Sequence, residues 1–360
     1  METLAWIGFT QSLFGALLLL TKPNTRLPDR LLTVWMVICA ITFIEIAIAK
    51  AESFTITPIN AMITNVLLYF YSILLTKENF KFRSKHFYHA LLPVVFILVI
   101  VWTGAKLRID QYFYEDVFLP YRLVLTVSLI VSFFLYWFLS IRAIHRYRMQ
   151  LKNEYSSIEA GIKLNWLLFV LIFYILYNLV LITAGFVEVF SAIETNYILF
   201  ILIFNLFLVF AFTFYGLRQN ALLPVAQNQL EQEAYSNSRL DDDEKTLIKQ
   251  KLLQHFEKNE PYIDGSLTIT SLANQLKVQR YKLTEVLNTE LKMNFYRFVN
   301  EYRVEKVKKM LTDPAYARLS IEAVGYDCGF NSKSTFFTVF KNLVGMTPAK
   351  YQEKHKTRKL

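Results

Sequence analysis

Seven apolar runs occupy the first two thirds of the chain, near residues 4–21, 31–49, 58–76, 87–104, 118–141, 164–186 and 196–217. Each is close to the ~20 residues that a helix needs to cross the hydrocarbon of a bilayer. A soluble core does not use such a series of runs. They account for a composition of 54% hydrophobic residues, with 31 Phe and 21 Tyr among 360 residues. The expected architecture of residues 1–218 is a polytopic seven-helix transmembrane bundle, with its two ends on opposite sides of the lipid bilayer.

Lys and Arg in the connections set the expected orientation, because cytoplasmic loops carry the excess of positive charge. The first, third and fifth loops hold Lys22, Arg26, Arg30, Lys77, Lys81, Arg83, Lys85, Arg142, Arg146, Arg148, Lys152 and Lys163, twelve in all. The second, fourth and sixth hold three, Lys50, Lys106 and Arg108. The N-terminus, Met-Glu-Thr, has no basic residue. The expectation is an N-terminus outside and a chain that is cytoplasmic from Arg218 onward, in a bacterial inner membrane. The first run has no basic leader and no small-residue cleavage site after its leucines, so it reads as a span and not as a cleavable signal. The segment 156–167 reads as the chain's return into the membrane.

Gln11, Glu45, Asn65, Arg122, Asn178 and Asn205 interrupt the apolar runs. An ionisable residue in a span faces the bundle interior and has a partner. Glu45 and Arg122 have opposite sign and similar depth, so the expectation is that they pair. These residues, with Gln11, Asn65 and Asn178, are candidates either for interhelical hydrogen-bonding glue or for a ligand pocket.

Beyond Arg218 the composition changes. Residues 219–265 hold five basic and nine acidic residues and form an acidic connector. Pro224 stops the last apolar helix from continuing unbroken, and 227–237 reads as a fraying stretch. A helix is expected at about 241–258: Asp241–Glu244 favour its N-terminal dipole, and Leu247, Ile248, Leu252, Leu253 and Phe256 supply an apolar side. That side packs on the following domain or, as the second reading, forms a homodimer contact.

Residues 266–360 hold seventeen Lys/Arg against eight Asp/Glu, which is nearly all of the chain's +10 excess. The stretch contains two helix-turn-helix patterns. In 267–287, Leu267, Ile269, Leu272, Ala273 and Leu276 make one helical face and Val278 marks a turn. A second helix there buries Leu283, Val286 and Leu287 and exposes Gln279, Arg280, Tyr281, Lys282, Thr284 and Glu285. In 320–341, Ser320 caps a helix with apolar Ile321, Val324 and Cys328. Gly329 stops that helix where the backbone needs positive φ. Asn331 or Ser332 caps the next, whose apolar side is Phe336, Val339 and Phe340. Lys333, Ser334, Phe337 and Thr338 then face outward, as the second helix of such a motif presents its first turns to base edges. Lys341 is placed to meet phosphate. Between the patterns, 294–311 reads as a long amphipathic helix ended by Asp313-Pro314.

With LANQL at 272–276, FVNEYRVEKVKKML at 298–311, GFNSKSTFF at 329–337 and the Gly345–Tyr351 motif, the region from about 266 to 352 resembles the DNA-binding domain of AraC/XylS-type regulators. The resemblance implies two helix-turn-helix units joined by one helix and double-stranded DNA as partner. It places Tyr281, Thr284 and Glu285, with Arg280 beside them, and Lys333, Ser334 and Thr338 at base-facing positions. The chain departs from the pattern at Gln279, where the family often has a serine cap, and at Gly325, where alanine is usual.

No P-loop, dinucleotide fingerprint, kinase motif or zinc spacing is present, so no catalytic residues, metal site or cofactor are expected. The expectation is an all-α protein that is not an enzyme. It would be a membrane-anchored, sequence-specific transcription regulator whose bundle senses a small-molecule or membrane signal. The alternative is a membrane receptor or transporter with a C-terminal protein-interaction module.

Overall fold

The computed structural model describes residues 1–48, 57–77, 80–103, 117–158, 164–191, 197–219 and 240–356. The loop positions Lys50, Lys106, Arg108 and Lys163, and the connector positions 220–239 with Pro224, lie outside the described residues. Two units make up the chain: Met1–His145 with Leu164–Leu223, and Arg146–Lys163 with Pro224–Leu360. Among the described residues every regular element is helical, and one isolated bridge pairs Tyr155 with Thr268.

The apolar runs become α1 (Glu2–Leu20), α2 (Leu27–Ile48), α3 (Thr57–Thr76), α4 (Tyr88–Thr103), α5 (Leu119–Glu154), α6 (Asn165–Ser191) and α7 (Tyr197–Arg218). Seven helical segments are long and apolar enough to cross a membrane, the fourth of them being Ser84–Trp102, which includes the 3-10 turn before α4. Helix α2 packs against α1, α3 and α7, and α7 also packs against α1 and α6. The close approach rests on small residues. Helix α1 buries Ala5, Gly8, Ser12, Gly15 and Ala16 along one face. A Cβ added at Gly8 would lie 2.3 Å from the Phe43 ring, and one at Gly15 would lie 2.6 Å from Thr213 Oγ1. Small side chains at 3–4-residue spacing let helix backbones approach in this way.

Two cations of the first loop have a local task. Lys22 Nζ donates to Asp29 Oδ1 at 3.0 Å and to the Gly216 carbonyl at 2.8 Å, and Arg26 donates to the Gln219 carbonyl at 2.8 Å. They satisfy carbonyls at the C-terminal end of α7, where positive charge also favours the helix dipole.

Helix α5 runs thirteen residues past the end of its apolar run at 141. Residues 142–154 are rich in good helix formers and contain neither Gly nor Pro. Their apolar positions Ile144, Tyr147 and Leu151 recur at helical spacing and are buried. From Arg146 onward this helix belongs to the second unit.

The second unit continues with α8 (Asp242–Asn259), α9 (Ile269–Leu276), α10 (Arg280–Thr289), α11 (Phe295–Thr312), α12 (Ile321–Asp327), α13 (Lys333–Val344) and α14 (Pro348–Lys356). Helix α11 is shared between two cores. Its Phe295, Phe298 and Val299 join Ile248, Leu252, Phe256, Leu272 and Leu283. Its Val304, Val307, Met310 and Leu311 join Val324, Cys328, Phe330, Phe336 and Phe340. The expected apolar side of α8 therefore packs on the first core through Ile248, Leu252 and Phe256, whereas Leu247 is half-exposed on the other side of the helix. Leu247 lies one residue before Ile248, 100° around the helix, and falls off the buried stripe.

Candidate nucleic-acid interface

Both helix-turn-helix units form locally for identifiable reasons. In the first, Thr268 caps α9: its hydroxyl accepts from Ser271 N at 3.1 Å, while the Ser271 hydroxyl accepts from Thr268 N. The turn runs through Lys277 and Val278, and Lys277 takes the left-handed conformation, with φ 54°. Helix α10 follows from Gln279, which makes no side-chain cap bond. In the second unit, Ser320 accepts from Ala323 N at 3.1 Å and Ser332 accepts from Thr335 N at 3.3 Å. Ser332, and not Asn331, is thus the cap of α13. Asn331 instead donates to the Gly265 carbonyl at 3.1 Å.

Two glycines admit close contacts in the second unit. Gly329 has φ +91°, and a Cβ there would lie 2.4 Å from the Tyr262 carbonyl oxygen. A Cβ on Gly325 would lie 2.6 Å from the Phe336 ring. The departure from alanine at 325 therefore lets α12 and α13 pack closely.

Arg303 of α11 lies between the two helix-turn-helix motifs. It is fully buried and makes five hydrogen bonds. Nε donates to the Tyr262 carbonyl at 2.7 Å, and one Nη donates to the Asp264 carbonyl at 2.9 Å and to Ser156 Oγ at 3.0 Å. The other Nη donates to the Ser156 carbonyl at 3.1 Å and to Ser157 Oγ at 2.9 Å. Its guanidinium also lies 5.8 Å from the Phe330 ring centre. All five donors of the planar fork are used. Burial pushes the guanidinium down to about 10, which leaves it charged at neutral pH. Nearby, bonds from Lys306 and Tyr262 hold the Glu260 carboxyl below its usual range, and burial pushes the Tyr262 hydroxyl up.

The base-facing candidates fall into two environments. Lys333, Ser334, Thr338 and Lys341 are exposed on α13. Lys333 pairs with Glu322 of its own unit and lies 5.8 Å from the Phe337 ring centre. On α10, Gln279 is exposed, but Arg280, Tyr281, Lys282, Thr284 and Glu285 are half-buried, contrary to the expected open face. The reason is that two other segments reach them. Arg280 pairs with Glu154 at the end of α5. Lys282 Nζ donates to Glu244 of α8 at 2.6 Å, and Lys245 of α8 lies 4.0 Å from Glu285. Desolvation lowers the Arg280 pKa, whereas the bond to Glu244 raises that of Lys282. The Thr284 hydroxyl donates to the Arg280 carbonyl at 3.1 Å.

Sequence reasoning missed the residues that reach these positions. Ser156 and Ser157 open the segment 156–167, expected to be the chain's return into the membrane, and Glu154 precedes it. The Ser156 amide and hydroxyl both donate to the Leu267 carbonyl, at 3.2 and 2.7 Å. Asn300 Nδ2 donates to the Ser156 carbonyl at 3.1 Å. Residues 156–158 are therefore part of the unit that carries the helix-turn-helix motifs and not the start of the return into the membrane, and the next described helix, α6, begins at Asn165.

Among the polar residues of the first unit, Tyr174 brings two together: its hydroxyl donates to Asn65 Oδ1 at 2.6 Å, and Asn178 Nδ2 donates to its carbonyl at 2.9 Å. Asn205 Nδ2 donates to the Ile201 carbonyl within its own helix. Arg122 is buried in α5; Glu45 in α2 and Gln11 in α1 are half-buried. Both cysteines, Cys39 and Cys328, are free and buried.

Residues 272–354 match the family model described as a helix-turn-helix domain. The chain is 30% identical over 91 residues to the HTH-type transcriptional regulator GadX of Escherichia coli K12, which covers 25% of this chain and 32% of that protein. It is 25% identical over 96 residues to the melibiose operon regulatory protein of the same organism, covering 27% of this chain and 31% of that one. The chain thus spans about a third of the length of these relatives. Over residues 272–354 this chain thus carries a helix-turn-helix domain similar to those of these two regulators.

Proposed function

We propose that the protein is a membrane-anchored transcription regulator that binds specific DNA sequences through α10 and α13. The observation that carries this reading is a helix-turn-helix domain on the same chain as seven helices apolar enough to cross a membrane. Large apolar side chains on those helices face outward, among them Leu98, Val101, Trp102 and Val127, which suits lipid as solvent. The twelve-to-three bias of Lys and Arg supports an N-terminus outside and a DNA reader on the cytoplasmic side. The relatives' names as regulators support the DNA-binding part.

In this reading the bundle receives a small-molecule or membrane signal. Arg122 and Glu45 are proposed to pair within it, beside the Asn65–Tyr174–Asn178 network. A double-mutant cycle with Glu45→Gln and Arg122→Gln tests the pair: coupling in stability supports it, and strict additivity refutes it.

DNA fragments crosslinked to the full-length chain in cells would be mapped and tested for retardation by the purified protein in detergent. Specific retardation of mapped fragments over scrambled ones is expected. Equal binding of both sets would refute sequence-specific regulation. A reporter active only outside the cytoplasm, fused at 152, should be silent; activity there would place the domain away from DNA.

A further inference from the structure

The clasp formed by residues 154–157 of the second unit has no place in the function so far. It lies at the end of α5 and uses three kinds of contact. The Glu154 carboxylate is buried against Arg280, the first residue of α10. Tyr155 bridges to Thr268, and Ser156 bonds the Leu267 carbonyl twice. Ser156 and Ser157 accept three of the five bonds of Arg303. A second carboxylate, Glu244, sits on Lys282, so two cations of the first turn of α10 are both held by acids from other segments. An Arg or Lys on such a helix contributes to DNA affinity by displacing counterions from phosphate. A carboxylate already seated on it removes that contribution and repels phosphate from the same place.

We propose that residues 154–157 are an internal competitor of DNA, with Glu154 occupying Arg280 in place of a phosphate, so that the described state is the DNA-released one. The inference rests on the reading of α10 as a DNA-facing helix. Helix α5 is continuous from the first unit into the second, through Arg146 to Glu154. Withdrawal of the clasp would free Arg280 and the adjoining face of α10, while Lys282 stays with Glu244 of α8.

The test uses the full-length chain in lipid nanodiscs and a fluorescent 40-base-pair duplex of random sequence, because the term at issue is phosphate binding. Tyr155→Cys with Thr268→Cys places thiols on a bridged antiparallel pair, within disulfide reach. The oxidised protein should bind the duplex about tenfold more weakly than the same protein reduced. Glu154→Gln, with no crosslink, should bind several-fold more tightly than the natural chain. A purely structural Glu154 would make the Gln variant weaker or unchanged, and that result overturns the proposal. Equal affinity in the oxidised and reduced states also overturns it while leaving the DNA-binding function standing, as does failure of the disulfide to form. If neither state binds duplex at all, the functional reading falls and the inference with it.

Discussion

The two helix-turn-helix units share one pattern and one linking helix, yet they present their second helices differently. In the second unit, α13 is capped by Ser332 and holds Lys333, Ser334, Thr338 and Lys341 in the open. The side chain of Lys333 is 59% exposed, against 17% for Arg280 at the start of α10. Helix α10 has no side-chain cap, and its cations are neutralised by Glu154 and Glu244. The same motif is thus open in one copy and engaged in the other. The difference comes from neighbours: α8 and the end of α5 pack on the first helix-turn-helix motif. The contact of Lys333 is with Glu322 inside its own unit, an exposed pair worth little energy.

The largest expected effect concerns what the two units share. Arg303 touches the Tyr262 and Asp264 carbonyls next to the first unit and stacks near Phe330 of the second. Arg303→Lys keeps the charge but loses the planar fork. It should destabilise the second unit by more than about 3 kcal/mol, as several buried acceptors lose a charged donor. Chemical denaturation followed by Trp-independent circular dichroism in detergent measures this. A loss below about 1 kcal/mol would mean that the two cores hold together without the weld.

An intermediate effect separates α10 from α13. On mapped target DNA, Lys333→Ala and Thr338→Ala should each lose about 1–3 kcal/mol of base discrimination. Lys341→Ala should weaken all sequences alike and reduce the salt slope by about 1. Thr284→Ala, whose hydroxyl is bound to its own helix, should change discrimination by less than about 0.5 kcal/mol. Equal losses on α10 and α13 in titrations over singly mutated sites would break the comparison.

The smallest effect concerns the caps. Ser332→Ala should cost about 1 kcal/mol, and Gln279→Ser should gain about 0.5–1 kcal/mol by supplying the missing acceptor at α10. Thermal unfolding of both variants checks the asymmetry. A gain from serine at 279 that equals zero would mean that α10 has its amides satisfied by other means.

Much of this was legible in the chain because it rests on local rules. The apolar runs gave seven helices to within a few residues at most ends, and Gly329 and Ser320 marked the second motif through backbone conformation and capping. Where the reading stopped short, a non-local contact intervened. Ending α5 near 141 followed hydropathy, but residues 142–154 continue as helix because Ile144, Tyr147 and Leu151 find a buried side. The open face expected for α10 failed because Glu154 and Glu244, 126 and 38 residues away from their partners, close over it. Gly325 reads as a weak helix position by propensity, and only the Phe336 ring beside it explains the missing methyl.

By itself, the sequence determined the all-helical class, the apolar segments, the two motifs and the excess of positive charge on the C-terminal region. These depend on periodicity, side-chain polarity and backbone preferences, which act within a few residues of one another. Only the tertiary structure decided that Arg303 would be an internal fork and that Ser156 and Ser157 would receive it. It also decided that α10 would be covered by carboxylates while α13 stays open. Those outcomes depend on which distant donors and acceptors meet, and burial makes each such meeting strong because an unpaired polar group there is costly.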